Sequence, residues 1–184
     1  MSIWAIIGII VGIIVLIIII LVAAYLLGSS RSHDSEIIKP DGSIVGKAII
    51  VYDPGLSGGT KTAAGYLAED LKSKGYEVKV AGVRSSDVAD ISGYDILIVG
   101  SPTYGAEPTG PIKSYLESLK NPDNITAGVY ALAGSDTQDS NVIMAEMLIN
   151  KSIPVKVSVK YGGSAFGASA DRSQYSEFIS QLLA

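Results

Sequence analysis

Hydroxyl-bearing residues and glycines are concentrated in one short segment, Gly55–Thr62, which follows a β-branched run at residues 47–52 and precedes a helical pattern. Ser57, Thr60 and Thr62 can donate hydrogen bonds, and glycines let the backbone approach a ligand closely. At a helix N-terminus, unpaired N–H groups and the positive end of the helix dipole point to one place. The segment therefore predicts a phosphate-binding turn.

Two common phosphate motifs do not fit this turn. A nucleotide-hydrolysing P-loop requires a glycine directly before Lys61, but Thr60 stands there. The dinucleotide pattern Gly-x-Gly-x-x-Gly fails because Gly58 and Gly59 are adjacent. Taken alone, the turn is also compatible with a simple connection between a strand and a helix.

A second segment whose residues could bind a ligand lies about fifty residues downstream. A buried strand is predicted at residues 96–100, and it ends in the loop 101–108, which contains Tyr104. Because parallel strands end at the same edge of a sheet, this loop places a tyrosine ring next to the phosphate turn.

In this order and spacing, the two loops resemble those of the flavodoxin family. The family's phosphate loop reads roughly hydroxyl-x-Thr/Ser-Gly-x-Thr, and residues 55–60 fit this pattern except that Gly55 replaces the first hydroxyl residue. The resemblance runs from Lys47 to the C-terminus, and it implies FMN as the cofactor.

The resemblance also implies three groups of FMN-binding residues and no catalytic side chain. The phosphate would be held by the first loop, at Ser57, Gly58, Gly59, Thr60 and Thr62. The ring would be bordered by the second loop, at Pro102, Thr103, Tyr104, Gly105 and Ala106, with Tyr104 stacked on it. A third loop after the fourth strand would contribute Ala133, Gly134, Ser135 and Asp136.

The third loop departs from the commonest family pattern. Many relatives have a second aromatic residue there, whereas this sequence has none between Ala131 and Ala165 except Tyr161. One face of the flavin would therefore be covered by backbone or left open to a substrate.

The elements that must position these loops alternate between strand and helix. Apolar runs predict five strands, at residues 47–52, 77–83, 96–100, 128–133 and 155–159, with helical segments between them and a closing helix that contains Tyr175 and Phe178. This pattern predicts an α/β fold, a three-layer, doubly wound, five-stranded parallel sheet. The family resemblance implies the strand order 2-1-3-4-5, with the ligand between strands 1 and 3.

Composition excludes several classes of site. The chain has no cysteine and a single histidine, His33, so a cysteine or histidine nucleophile, a Cys/His zinc site and a disulfide are all excluded. We expect no metal site, and any redox chemistry needs a bound cofactor. The formal net charge of −4 and the scattered basic residues argue against nucleic-acid binding.

The N-terminus carries a long apolar run. Residues 3–27 contain no charge, and 25 residues at about 1.5 Å each span more than the roughly 30 Å hydrocarbon core. The run therefore predicts a single transmembrane helix, with Trp4 and Tyr25 near its ends. A cleaved signal peptide is the alternative, although the run is longer than a secretory core and no basic residue precedes it.

Orientation and association of this helix can also be predicted. Arg31, Lys39 and Lys47 follow the apolar run, so the positive-inside tendency places the globular domain in the cytoplasm, on a single-pass cell-membrane protein. Gly8 and Gly12 have the spacing that lets two such helices approach, which is compatible with a homodimer. The predicted organisation is an anchor at 1–28, a flexible linker at 29–46 and an FMN-binding domain at 47–184.

Two function classes follow from the resemblance. The favoured one is a membrane-anchored electron carrier that shuttles single electrons between redox protein partners and has no substrate of its own. The alternative is an enzyme, an FMN-dependent reductase of a quinone or another small acceptor, which needs an open flavin face. A flavin-free fold used for interaction is the third reading.

Overall fold

A central sheet with helices on both of its faces forms the core of the protein in the computed structural model, which describes residues 2–120, 124–134, 139–162 and 171–184. The strands are β1 Ser35–Ile38, β2 Gly46–Tyr52, β3 Tyr76–Gly82, β4 Ile96–Tyr104, β5 Glu107–Pro108, β6 Thr126–Ala133 and β7 Val155–Gly162. The helices are α1 Ile3–Arg31, α2 Gly59–Ser73, α3 Gly110–Ser118, α4 Ser140–Ile149 and α5 Ser173–Leu183. A short 3₁₀ turn, Ser86–Val88, follows β3.

The sheet has the predicted topology. Its strand order is β1-β3-β2-β4-β6-β7, and β5 pairs with β4 outside this path. The contacts among β3, β2, β4, β6 and β7 are all parallel. Counted along the chain, these five strands have the order 2-1-3-4-5, which confirms the prediction. The carboxyl ends of β2 and β4 therefore lie side by side at the switch point.

Two apolar layers hold the helices against the sheet. On one face, α2 and α5 pack against the sheet in a cluster that includes Tyr130 of β6 and Phe178 of α5. On the other face, α3 and α4 cover a second cluster that includes Leu97 and Met144. Strand β4 is buried from Ile96 to Thr103. A parallel strand covered on both faces reads as a continuous apolar run, which is why this strand could be predicted from sequence.

Two further strands extend the five that were predicted. Strand β1 pairs antiparallel with β3, with Ser35 opposite Ala81 and Ile38 opposite Val78. Residues 35–38 therefore belong to the sheet, although the sequence placed them in a flexible linker at 29–46. The strand is short and partly polar, so its pairing depends on β3 rather than on a local signal. Strand β5 forms a two-residue hairpin partner for the end of β4.

The N-terminal helix α1 extends to Arg31, four residues beyond the uncharged run. Its segment Ile3–Ala23 is long and apolar enough to cross a membrane, a test that a signal sequence also passes, and none of this segment is buried. Only the residues between Arg31 and Ser35 separate the helix from β1. The helix is therefore joined to the sheet by a short connection.

Candidate flavin site

The predicted phosphate turn lies at the start of α2, as the sequence indicates. Gly58 precedes the helix in the left-handed conformation, with φ of 73°, and as the N-cap residue it supplies no side-chain hydrogen bond to the helix. Within the described part of the chain, the backbone N–H groups of Ser57, Thr60 and Lys61 have no recorded acceptor. Uncapped donors at the positive end of a helix can bind an anion.

The hydroxyl groups of this turn are arranged differently from the prediction. Thr60 is buried, and its Oγ1 donates to the carbonyl of Asp53 rather than facing the turn's concave side. Thr62 Oγ1 donates to the Gly58 carbonyl at 3.4 Å, and Ser57 Oγ accepts from Gly59 N at 3.3 Å. The two threonine hydroxyls therefore stabilise the turn itself, and the donors left for an anion are mainly backbone amides.

The second predicted loop is a tight hairpin at the end of β4. Tyr104 stands opposite Glu107, and the two turn residues between them, Gly105 and Ala106, have φ of 62° and 70°. Consecutive positive φ values are typical of a type I′ turn. Ala106 is strained in this conformation because its Cβ crowds the backbone. Thr103 Oγ1 lies buried near the start of this hairpin, and no partner is recorded for it in the described part of the chain.

The two loops are in direct contact. Tyr104 Oη accepts a hydrogen bond of 3.0 Å from Leu56 N in the phosphate turn. A Cβ added at Gly55 would lie 2.8 Å from Tyr104 Oη and 2.8 Å from Pro102 Cγ, so a glycine is required where the loops cross. Half of the Tyr104 surface remains exposed, at 50%. The ring is therefore fixed at one end and accessible along its face.

Asp53, which the sequence analysis did not select, connects the first loop to α3. Its Oδ1 accepts from Gly55 N at 2.9 Å, and its Oδ2 accepts from Thr109 Oγ1 at 2.7 Å. Thr109 N in turn donates to Ser101 Oγ at 3.0 Å. An aspartate followed by Pro54 and Gly55 is a turn signal that could have pointed to this role. The carboxylate holds both loops in register.

Tyr130 is a second residue that sequence reasoning missed. Its ring is fully buried beneath α2, and its Oη donates a 2.8 Å hydrogen bond to the Thr60 carbonyl. Burial raises the pKa of Tyr130 well above the ordinary tyrosine value, and nearby Tyr52 raises it further. The hydroxyl therefore stays protonated and holds the first turn of α2 over the sheet.

The third loop is only partly described. Ala133 is buried at the end of β6 and pairs with Gly162, while Gly134 is exposed. Ser135 and Asp136 lie outside the described residues. The structure thus brings the first and second predicted loops together and carries the start of the third loop to the same edge of the sheet.

Charged side chains flank both loops. Lys61 Nζ lies 2.5 Å from Asp34 Oδ2, which joins the first turn of α2 to the segment that follows α1. Lys113 Nζ donates to Glu107 Oε2 at 2.6 Å. This hydrogen bond, together with the positive charge of Lys113, lowers the pKa of Glu107 below its ordinary value. Each acid is thereby partly neutralised by its own cation.

Residues 55–182 match the family model described as Flavodoxin. This range is more than half of the chain and includes both loops. The chain belongs to the flavodoxin family. Members of this family bind FMN.

One flavodoxin sequence agrees with this assignment, and solved structures share the fold. A flavodoxin from Maridesulfovibrio salexigens is 37% identical over 81 residues, an alignment that covers 42% of this chain and 55% of that relative. The chain thus spans about half the length of that curated flavodoxin. Among solved structures, an archaeal flavodoxin superposes with a TM-score of 0.58 and 18% identity over 75% of this chain and 99% of its own. The rubredoxin oxygen:oxidoreductase of Desulfovibrio gigas gives a TM-score of 0.63 and 21% identity over 76% of this chain and 36% of its own.

The residues of this flavodoxin site fit FMN. The uncapped amides of Ser57, Thr60 and Lys61 match a phosphate dianion, which backbone dipoles can bind without a basic side chain. The buried hydroxyl of Thr103, which has no partner among the described residues, and the half-exposed ring of Tyr104 would provide a polar and an aromatic contact. When bound, FMN supplies one-electron and two-electron redox chemistry that no side chain of this chain provides.

Proposed function

We propose that this flavodoxin is a membrane-anchored electron carrier that binds FMN and exchanges single electrons with redox protein partners. The contact between Tyr104 and Leu56 carries the proposal, because it joins the phosphate turn and the ring loop into one site. The anchor is α1, whose span-length apolar segment lies outside the core.

In this assignment, each loop has a distinct role. The first loop binds the phosphate through the amides of Ser57, Thr60 and Lys61, while Gly58, Gly59 and Thr62 shape the turn. The second loop borders the flavin ring through Pro102, Thr103, Tyr104, Gly105 and Ala106. The third loop, from Ala133 and Gly134 onward, approaches the opposite side of the ring, and Ser135 and Asp136 are assigned to it from the sequence.

Phosphate recognition can be tested with a charge placed in the first loop. Ser57 is exposed at the N-terminal end of α2, so Ser57→Asp should leave the fold intact and repel the phosphate. Ser73→Asp places the same exposed charge at the other end of α2 and is the matched control. We expect Ser57→Asp to weaken FMN binding to the full-length protein by about tenfold or more, and riboflavin binding to stay unchanged. Equal loss of both ligands would contradict the phosphate assignment.

Electron transfer can be tested by stepwise reduction of the FMN-loaded protein. A carrier should take up electrons in two separate one-electron steps, resolved by visible absorbance. A single two-electron step, together with rapid NAD(P)H oxidation when quinone is added, would instead support the alternative, an FMN-dependent quinone reductase. Failure to bind FMN at micromolar concentration would contradict both.

Membrane anchoring is a separate part of the proposal. The full-length chain should float with phospholipid vesicles and resist extraction by alkaline carbonate, whereas a chain that begins at Ser32 should not float. The orientation with a cytoplasmic domain rests on Arg31, Lys39 and Lys47. Protease protection in inverted and right-side-out vesicles tests it. Crosslinking through Gly8→Cys and Gly12→Cys tests the proposed homodimer, because the chain has no other cysteine.

A further inference from the structure

The anchor helix joins the domain at the edge that carries the flavin site. The backbone N–H of Arg84 donates to the Ser32 carbonyl at 2.8 Å, and the N–H of Gly82 donates to the Asp34 carbonyl at 2.8 Å. Gly82 is the last residue of β3, and it pairs with Tyr52 at the carboxyl end of β2. The connection therefore lies at the carboxyl edge of the sheet, next to the phosphate turn.

This connection is short and fixed by several contacts. Three residues lie between α1 and β1, and they reach at most about 10 Å when fully extended. Ser32 is buried, and a Cβ on Gly82 would stand 2.3 Å from the Ser32 carbonyl oxygen. The ion pair between Asp34 and Lys61 links the same residues to the first turn of α2. The end of α1 therefore cannot move far from the phosphate turn.

The length of α1 places the membrane surface close to this connection. The helix has 29 residues. At about 1.5 Å per residue it measures about 43 Å, close to the roughly 40–45 Å thickness of a bilayer with its headgroups. Since none of Ile3–Ala23 is buried, this segment is free to lie in the bilayer instead of packing on the domain. The headgroup layer then begins within a few residues of Ser32.

We propose that the carboxyl edge of the sheet, which carries the flavin site, faces the bilayer and rests on its headgroup layer. Electrons are then exchanged with a partner embedded in the same membrane. This inference rests on the membrane anchoring proposed above. Leu56 and Tyr104, both exposed apolar side chains of the two site loops, lie at this edge. A tyrosine ring suits the headgroup layer, where its hydroxyl stays hydrated. A large water-soluble partner would have poor access to the flavin.

The orientation can be measured without FMN, using single cysteines in this cysteine-free chain. Gly110→Cys and Ser86→Cys place labels near the carboxyl ends of the strands. Both positions are exposed, and a Cβ at Gly110 meets nothing within 4 Å. Lys74→Cys and Ser92→Cys place labels on exposed loops at the opposite edge, before β3 and β4. Each variant is labelled with a fluorophore and reconstituted into phosphatidylcholine vesicles that contain headgroup-nitroxide lipid.

The expected result is several-fold stronger quenching at Gly110→Cys and Ser86→Cys than at Lys74→Cys and Ser92→Cys. A 16-residue Gly-Ser insertion between Arg31 and Ser32, which spans roughly 20–24 Å, should remove the difference while vesicle flotation persists. Equal or reversed quenching in a protein that floats would overturn the orientation and leave the anchor and FMN proposals standing. A protein that does not float would overturn the anchor, and this inference with it.

A second experiment tests whether the flavin is accessible to a water-soluble electron acceptor. With FMN bound and chemically reduced, each flavin electron passed to soluble ferric cytochrome c yields one ferrous haem. The wild-type protein in vesicles should reduce cytochrome c more slowly than the variant with the Gly-Ser insertion. Equal rates would contradict the restriction to membrane-embedded partners, whatever the FMN affinity of either protein.

Discussion

Tyr130 Oη donates a 2.8 Å hydrogen bond to the carbonyl of Thr60, although the two residues lie 70 positions apart in the sequence. The bond connects the centre of the sheet to the first turn of α2, which carries amides proposed to bind the phosphate. The phosphate turn is therefore positioned by two contacts, one with the buried Tyr130 of the sheet and one with the Asp53 carboxylate.

Removing this hydroxyl should destabilise the protein. Tyr130→Phe should lower the free energy of unfolding by about 1 kcal/mol, the net value of one hydrogen bond. Tyr115→Phe is the matched control, because the buried Tyr115 hydroxyl has no partner recorded among the described residues. Its loss should change stability by less than about 0.5 kcal/mol. Urea unfolding of both variants measures the difference, and equal losses would contradict a specific role for Tyr130.

Gly100 should not tolerate a side chain. A Cβ at this position would stand 2.0 Å from Cζ of Tyr130, whose ring is fully buried. We expect Gly100→Ala to cost about 1–3 kcal/mol or more, the range typical of overpacked cores. Gly110→Ala is the control, since a Cβ there meets nothing within 4 Å. Thermal unfolding of the two variants measures the difference in their loss of stability. Equal losses would show that the Tyr130 ring can shift to accept the extra Cβ.

The backbone strain at Ala106 should be relieved by glycine. Ala106 has φ of 70°, which costs an alanine about 1–2 kcal/mol. Glycine relieves this strain, but it also raises the conformational entropy of the unfolded chain, which offsets part of the gain. The net effect of Ala106→Gly should be a rise in apo-protein stability of about 0.5–1 kcal/mol. The exposed Ala89 has φ of −67°, so Ala89→Gly should lower stability. A loss in both variants would show that the conformation at Ala106 is not strained.

Much of this fold could be predicted from the sequence because its signals are local. Apart from Lys47, the runs at residues 47–52 and 96–100 are apolar, and each ends in a loop with turn residues. The order of the five parallel strands came from family resemblance. In contrast, β1 has only four residues, and its pairing with β3 is a tertiary contact. No local pattern encodes that pairing.

The site could be predicted less completely than the fold, for the same reason. Spacing located the two loops, but side-chain directions depend on neighbours from distant parts of the chain. The Thr60 hydroxyl was expected to face the phosphate, yet Thr60 is buried and its hydroxyl donates to the Asp53 carbonyl, seven residues earlier. Tyr130 looked like an ordinary core residue of a strand, and only the position of α2 above it reveals its acceptor.

Alkaline pH should unfold the protein cooperatively. Burial raises the pKa of Tyr115 and Tyr161 above the ordinary value of 10.0 and raises that of Tyr130 well above it. The unfolded chain therefore loses these protons at a lower pH than the folded chain. The contribution of these buried, protonated tyrosines to the free energy of unfolding is fully present below pH 10 and decreases as the pH rises further. Tyrosinate absorbance from these residues should appear together with loss of circular dichroism, whereas early ionisation without unfolding would contradict their burial.

The ring and the hydroxyl of Tyr104 should contribute differently to FMN binding. The hydroxyl accepts from Leu56 N, which is exposed enough for water to replace it, so Tyr104→Phe should change the FMN dissociation constant by less than about threefold. Tyr104→Leu removes the aromatic face and should weaken FMN binding by about tenfold. Because the ring is proposed to contact the flavin and not the phosphate, riboflavin binding should weaken to the same degree. Ser57→Asp is instead expected to weaken binding of FMN and not of riboflavin, so fluorescence titration with both ligands separates the two roles. If Tyr104→Phe is as harmful as Tyr104→Leu, the hydroxyl bridge between the loops, rather than ring stacking, determines affinity.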